Sequence, residues 1–167
     1  MKIFKPKEYH KSIFDINYND LKKKNIKLII FDLDNTILEP DKDLPDKEMK
    51  DFFYKLGKNF KLVIASNNKK ERVEKVANYL LCDKLYRIAK PTKKIKKFID
   101  KRYHIKMNNA CIIGDQIVTD IFMGNRLGMY NILIDPISNK DLKVTYLNRF
   151  LEKRILKIMK IKRGEYY

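Results

Sequence analysis

The chain has 167 residues, 44% of them apolar, two cysteines and a formal net charge of +17. That is enough apolar chain for one self-supporting domain, which excludes wholesale disorder and a miniprotein stapled by disulfides or metal. Apolar runs such as Leu28-Ile29-Ile30-Phe31 are far too short to span a bilayer, no signal peptide is visible, and Cys82 and Cys111 show no metal-ligand spacing, so a reducing, cytoplasmic setting is expected.

The charge is the outlier. A field this positive attracts phosphate-rich partners: nucleic acid, anionic lipid surfaces or phosphorylated substrates. Of the 38 cations 31 are Lys, and Ile and Asn are abundant too, as an AT-rich genome would produce. Charge alone therefore leaves function and composition bias both open.

In chain order, residues 1–25 are polar and aromatic and end in the basic run Lys22-Lys23-Lys24. Ile26 to Asp32 is a short apolar strand ending in an acid. Lys47 to Leu56 puts Met49, Phe52, Phe53 and Leu56 on one helical face before Gly57. Phe60 to Ala65 reads as a buried strand, and Val73, Val76, Ala77 and Leu80 mark the next helix. Leu85 to Ala89 is a weaker strand, and Pro91-Thr92 opens a helix carrying Ile95, Phe98, Ile99 and Tyr103. Ala110 to Ile113 is a strand, Val118 to Leu127 a helix stopped by Gly128, and Asn131 to Ile134 the last strand. Residues 141–163 read as one basic amphipathic helix with an apolar stripe of Leu147, Phe150, Leu151, Ile155, Ile158 and Met159. Five strands alternating with helices predict a mostly parallel, three-layer α/β sandwich, a single domain over 1–167 with its core at about 26–135.

Such a sheet binds ligands at the carboxyl ends of its strands, and the polar signals sit there. Asp32 and Asp34 follow the first strand, two residues apart. Two acids in a low-dielectric pocket repel unless a cation sits between them, and an oxygen-rich setting favours Mg²⁺. An aspartate beside that ion can attack phosphorus, and a second acid can protonate the leaving oxygen and then activate water. Ser66-Asn67 ends the next strand, where a hydroxyl and helix-start N–H groups bind phosphate oxygens; a plain helix cap is the alternative. Lys90 follows the weaker strand and could neutralise a phosphoryl group. Gly114-Asp115-Gln116 follows the fourth strand; Gly114 permits a tight turn, Asp115 completes a metal site with Asp32, and Asp120 lies one helical turn on, within reach of a metal-bound water.

This ordered set resembles the haloacid dehalogenase (HAD) superfamily: D-x-D-x-T, a Ser or Thr, a Lys and an acidic pair. A narrower resemblance covers nearly the whole chain. Ser12 to Ile16, Phe31 to Leu38, Ser66-Asn67-Asn68, Gly114 to Asp120 and Gly124 to Tyr130 are similar to the YqeG-type, subclass IIIA phosphatases. Relatives of that type in mitochondria and plastids convert phosphatidylglycerophosphate to phosphatidylglycerol. The resemblance implies that Asp32 is nucleophile and Mg²⁺ ligand, and that Asp34 is acid/base with its backbone carbonyl on the ion. It further implies that Ser66 binds phosphate, Lys90 steadies the phosphoryl group, Asp115 ligates the metal, and Asp120 acts behind it or through water. Asn35, Asn67 and Gln116 are lesser candidates, and Thr36 is expected to fix the turn. Family members that keep a long-lived phosphoenzyme tend to lack the acid at position 34, so its presence implies a hydrolase.

Only 29 residues separate Thr36 from Ser66 and 23 separate Ser66 from Lys90, so no cap domain fits and an open site is expected. That suits a phosphate on something large. The first expectation is a lipid phosphate at the inner membrane face; the basic helix would either lie on that membrane or pack against the sheet's helical layer or a second subunit. The rivals are a nucleic-acid or nucleotide phosphatase and a non-catalytic scaffold that binds a partner.

Overall fold

A computed structural model of the chain describes residues 2–88, 90, 94–138 and 146–167, without the side chains of 146–149. The expected helix start at Pro91-Thr92, the strand residue Ala89, residues 141–145 and the side chain of Leu147 lie outside that description.

Six strands form one sheet: β1 (Glu8–His10), β2 (Leu28–Phe31), β3 (Lys61–Ala65), β4 (Asp83–Leu85), β5 (Ala110–Gly114) and β6 (Tyr130–Ile134). Their order is β1-β6-β5-β2-β3-β4, and every neighbouring pair is parallel. From β2 the chain builds outward through β3 to β4, then returns to the other side of β2 for β5 and β6. The direction of winding therefore reverses between β2 and β5, which opens a crevice at their carboxyl ends.

Period-two alternation sorts the central strands onto two covered faces. Ile29, Phe31, Leu62, Ile64, Cys111 and Ile113 pack under α1 (Tyr18–Lys23), α2 (Lys47–Gly57) and α3 (Lys70–Leu80). Leu28, Ile30, Val63, Ala65 and Ile112 pack under α4 (Lys94–Tyr103) and α5 (Phe122–Leu127). Both faces being buried explains why β2, β3 and β5 read as unbroken apolar runs. Burial disfavours the thiolate of Cys111 and pushes Cys82 up to about 12, which keeps both in the thiol form near neutral pH.

The sheet has one strand more than expected. β1 is three residues long with only Tyr9 buried, too short and too polar to register as an apolar run. It forms because β6 and the chain end sandwich it: Tyr9 exchanges two main-chain hydrogen bonds with Tyr167, at 2.6 and 2.9 Å. The weak fourth strand lies earlier than expected, at Asp83–Leu85. It is a half-buried edge strand, and Arg87 at φ 47° ends the extended run. The helix expected over Val118–Leu127 splits into a π-helical turn, Ile117–Ile121, and α5; Gly128 ends it at φ 72° as expected.

The C-terminal helix α6 (Tyr146–Met159) divides the expected apolar stripe. Leu156, with Ile155 beside it, packs on Tyr9, Ile117, Ile121 and Leu133, whereas Phe150, Leu151 and Ile158 face outward. Glu152 turns inward and is buried. Its carboxylate accepts the Ile117 N–H at 3.0 Å and pairs with Arg163 at 2.9 Å. Arg163 also donates to the carbonyls of Ile134 (2.9 Å) and Asp115 (3.0 Å). The bonds that these two residues make to Ile117, Ile134 and Asp115, with the Arg163–Asp135 ion pair at 3.3 Å, tie the C-terminal segment to the ends of β5 and β6. Glu152→Ala strands the Ile117 N–H and removes one of the Arg163 carboxylate partners, and should lower the unfolding free energy by about 2 kcal/mol in urea titration. Glu152→Gln, which keeps the acceptor, should lose less; equal losses would mean that the Ile117 bond carries nothing.

Candidate active site

Asp32 follows β2 and Asp115 follows β5, and these strands are hydrogen-bonded neighbours; the Asp32 N–H donates to the Ile113 carbonyl at 2.9 Å. Strand pairing alone thus brings two acids 83 positions apart to one edge of the crevice. The π-helical turn adds a third. It swings Asp120 back over Gly114, so that carboxylate oxygens of Asp32, Asp115 and Asp120 lie within 4.8 Å of one another. π-Helical turns of this kind recur at functional sites. Asp120, expected behind the other two acids or on the metal through water, has its carboxylate in the same cluster. A Cβ on residue 114 would lie 2.4 Å from that carboxyl group, so Gly114 serves to leave room for Asp120 rather than to permit a turn.

Lys90 enters the cluster from the far side of the sheet, beyond β4. Its ammonium is buried, ion-pairs with Asp32 and lies 2.8 Å from Asp120. Asn67 holds it there: its side-chain oxygen accepts the Lys90 N–H at 2.6 Å and its amide donates to the Lys90 carbonyl at 3.4 Å. Burial lifts Asp32 well above the ordinary carboxylate range; Lys90 opposes the shift, and Asp120 and Asp115 add to it. Burial disfavours the Lys90 ammonium, but Asp120 and Asp32 outweigh it and hold its pKa above the usual lysine value. Ser66, also buried, receives the Asn68 N–H on its hydroxyl at 3.0 Å. It is no helix cap: α3 begins only at Lys70.

Asp34 stands apart. Its carboxylate takes hydrogen bonds at 2.9 Å from both the Arg72 Nε and the Asn68 amide, and a second Arg72 nitrogen lies 2.8 Å away. Arg72 also donates to the carbonyls of Lys42 (2.6 Å) and Glu39 (3.1 Å), which binds the segment after the acids to α3. The turn itself is pinned by main chain: the Leu33 carbonyl accepts from Thr36, Ile37 and Leu38, with Asn35 at φ 64°. The Asn35 side chain accepts from Ser138, at 3.1 Å from its N–H and 3.0 Å from its hydroxyl. Thr36 helps fix the turn through its N–H; its buried hydroxyl has no hydrogen-bond partner among the described residues. Gln116 contributes main chain, its carbonyl accepting the Asp120 N–H at 3.0 Å. Sequence reasoning missed Arg72 and the role of Asn68; the one available signal was a rare Arg in a Lys-rich chain, on the helix after Ser66.

Three buried carboxylates against one ammonium leave an excess of negative charge among hard oxygen donors. That donor set fits a divalent cation such as Mg²⁺, held by Asp32 and Asp115 with Asp120 beside them. Among the described residues no inserted domain covers the crevice. A cleft of about 490 Å³ lined by Phe53, Leu62, Leu80 and Cys82 opens where β3 begins, and holds none of these residues.

Residues 1–138 match the family described as mitochondrial PGP phosphatase. The chain is 36% identical over 162 residues to the probable phosphatase YqeG of Bacillus subtilis (strain 168), covering 96% of this chain and 94% of that protein. In fold it is similar to a predicted HAD-like family hydrolase from Porphyromonas gingivalis, with a TM-score of 0.53, 15% identity and coverage of 75% of this chain and 98% of the other. An uncharacterized protein from Listeria monocytogenes serotype 4b gives the same TM-score of 0.53 at 18% identity, over 81% of this chain and 100% of the other. The chain belongs to the mitochondrial PGP phosphatase family and is a phosphatase of the HAD type.

Proposed function

We propose that this phosphatase is a Mg²⁺-dependent phosphomonoester hydrolase that works through an aspartyl-phosphate on Asp32 and converts phosphatidylglycerophosphate to phosphatidylglycerol. The observation that carries the mechanism is the convergence of Asp32, Lys90, Asp115 and Asp120 at the carboxyl ends of β2, β4 and β5. The lipid substrate is supported by the family match over residues 1–138 and by the uncapped crevice.

The Asp32 carboxylate attacks phosphorus, and the bond from phosphorus to the leaving alkoxide breaks. Asp34 donates the proton that the alkoxide needs. Water then attacks the aspartyl-phosphate, Asp34 takes its proton, and inorganic phosphate leaves with Asp32 regenerated. Lys90 and the Ser66 hydroxyl hold phosphoryl oxygens during both steps, and Asn67 keeps Lys90 in register. Arg72 and Asn68 aim the Asp34 carboxylate. When bound, Mg²⁺ would supply charge neutralisation to the phosphoryl group and to the acids that hold it.

Asp32→Asn should remove turnover while the domain stays folded. A loss of about three orders of magnitude or more corresponds to about 4 kcal/mol of barrier. A variant that keeps more than about a tenth of the activity would overturn the nucleophile.

Mg²⁺ should raise the melting temperature of the wild-type protein, since a ligand that binds only the folded state stabilises it by about 2.7 kcal/mol at a hundred times its Kd. Asp115→Asn should abolish that shift; a full shift in the variant would remove Asp115 from the metal site.

The net charge of +17 suits nucleic acid as well, so phosphate release from phosphatidylglycerophosphate in mixed micelles is to be compared with release from 3′- and 5′-phosphorylated oligonucleotides. Faster release from the oligonucleotides would replace the lipid with a nucleic-acid end.

A further inference from the structure

The helix α6 has two sides with opposite chemistry. Its inner side carries Leu156 and Glu152 and is already occupied by the core. Its outer side leaves Phe150 55%, Leu151 44% and Ile158 64% exposed. At 100° per residue these three share a stripe with Arg154, whose guanidinium lies 5.0 Å from the Phe150 ring; Lys153 and Lys157 border it. The helix's acid at position 152 points inward, so no described side chain of α6 offsets these cations on the outer face.

We propose that this outer face docks on an anionic lipid bilayer and holds the acid cluster at the membrane surface, a role that rests on the lipid-phosphate reading of the site. Apolar side chains flanked by Lys and Arg match the boundary between acyl chains and anionic headgroups. A nucleic-acid backbone would use the cations and leave the aliphatic side chains of Leu151 and Ile158 in water. A second copy meeting this face about a two-fold axis would set Lys153, Arg154 and Lys157 against their own like. The inner side of the helix explains what docking achieves. Glu152 holds the Ile117 N–H, and Arg163, just past the helix, holds the Asp115 carbonyl at 3.0 Å. The docked helix is therefore fixed to the loop that bears Asp115, and the crevice stays beside the bilayer.

The full-length protein is sedimented with phosphatidylcholine vesicles with and without phosphatidylglycerol, at low and high salt. Binding should require phosphatidylglycerol and weaken with salt. Lys153→Glu with Lys157→Glu should weaken it by about 30-fold or more, taking each cation near such a surface at its usual contribution. Leu151→Ser with Ile158→Ser should weaken it too, while every variant turns over a soluble phosphomonoester at the wild-type rate. Equal binding to neutral vesicles, or unchanged binding by either double variant, overturns the proposal. So does retention of single-stranded oligonucleotides by a chain that ignores the vesicles. Hydrolysis of phosphatidylglycerophosphate in detergent without vesicle binding sinks the docking face alone. Vesicle binding without hydrolysis of that lipid supports the docking face and sinks the substrate reading.

Discussion

Three carboxylates and one ammonium are buried within a few ångströms of one another, and the rest of this fold is arranged around that concentration of charge. Two like charges 4 Å apart repel by about 4 kcal/mol even at an effective dielectric of 20. No short peptide would hold such a set. Here the acids are placed by strands that have no freedom to move apart: β2 and β5 are hydrogen-bonded along their length and buried on both faces. The hydrophobic clusters above and below the sheet offset the electrostatic cost. The result is a site whose excess negative charge a divalent cation would relieve.

The same constraint explains a division of labour among the acids. Asp32, Asp115 and Asp120 are gathered together, with Lys90 on Asp32 and Asp120, whereas Asp34 is held by Arg72 and Asn68. A fourth carboxylate in the cluster would add repulsion with no second ammonium to meet it. The tight turn after Asp32, built on the Leu33 carbonyl and the left-handed Asn35, makes that separation within two residues.

Beyond the family match, the described residues 146–167 reach back to the site. Glu152 and Arg163 hold main-chain groups of Ile117 and Asp115, and Tyr167 closes the outer edge of β1. Edge strands left open invite pairing with other chains, and here the chain's own end covers the exposed row. The C-terminal segment thus supports the acid loop with its inner side and offers a basic, apolar surface with its outer side.

Much of this was legible in the amino-acid order. Buried parallel strands announce themselves as apolar runs, and polar residues that follow such runs fall at the carboxyl edge of the sheet. That is why Asp32, Asp34, Ser66, Lys90 and Asp115 could be named, and a HAD-like fold without a cap expected, from pattern and resemblance alone. Interactions set by contact between distant segments were not legible. The edge strand β1 exists only through β6 and Tyr167. Arg72 was one cation among 38, and only the path of α3 brings it to Asp34. Asp120 joins the cluster because a π-helical turn and a bare Gly114 let it fold back. Nothing in the order of residues marked Glu152, which only tertiary packing turns inward toward Arg163. The sequence by itself determined which residues end the strands, because hydrophobic burial is periodic and local. Tertiary structure decided which charges meet, because electrostatic pairing depends on distance in space and leaves no period in the chain.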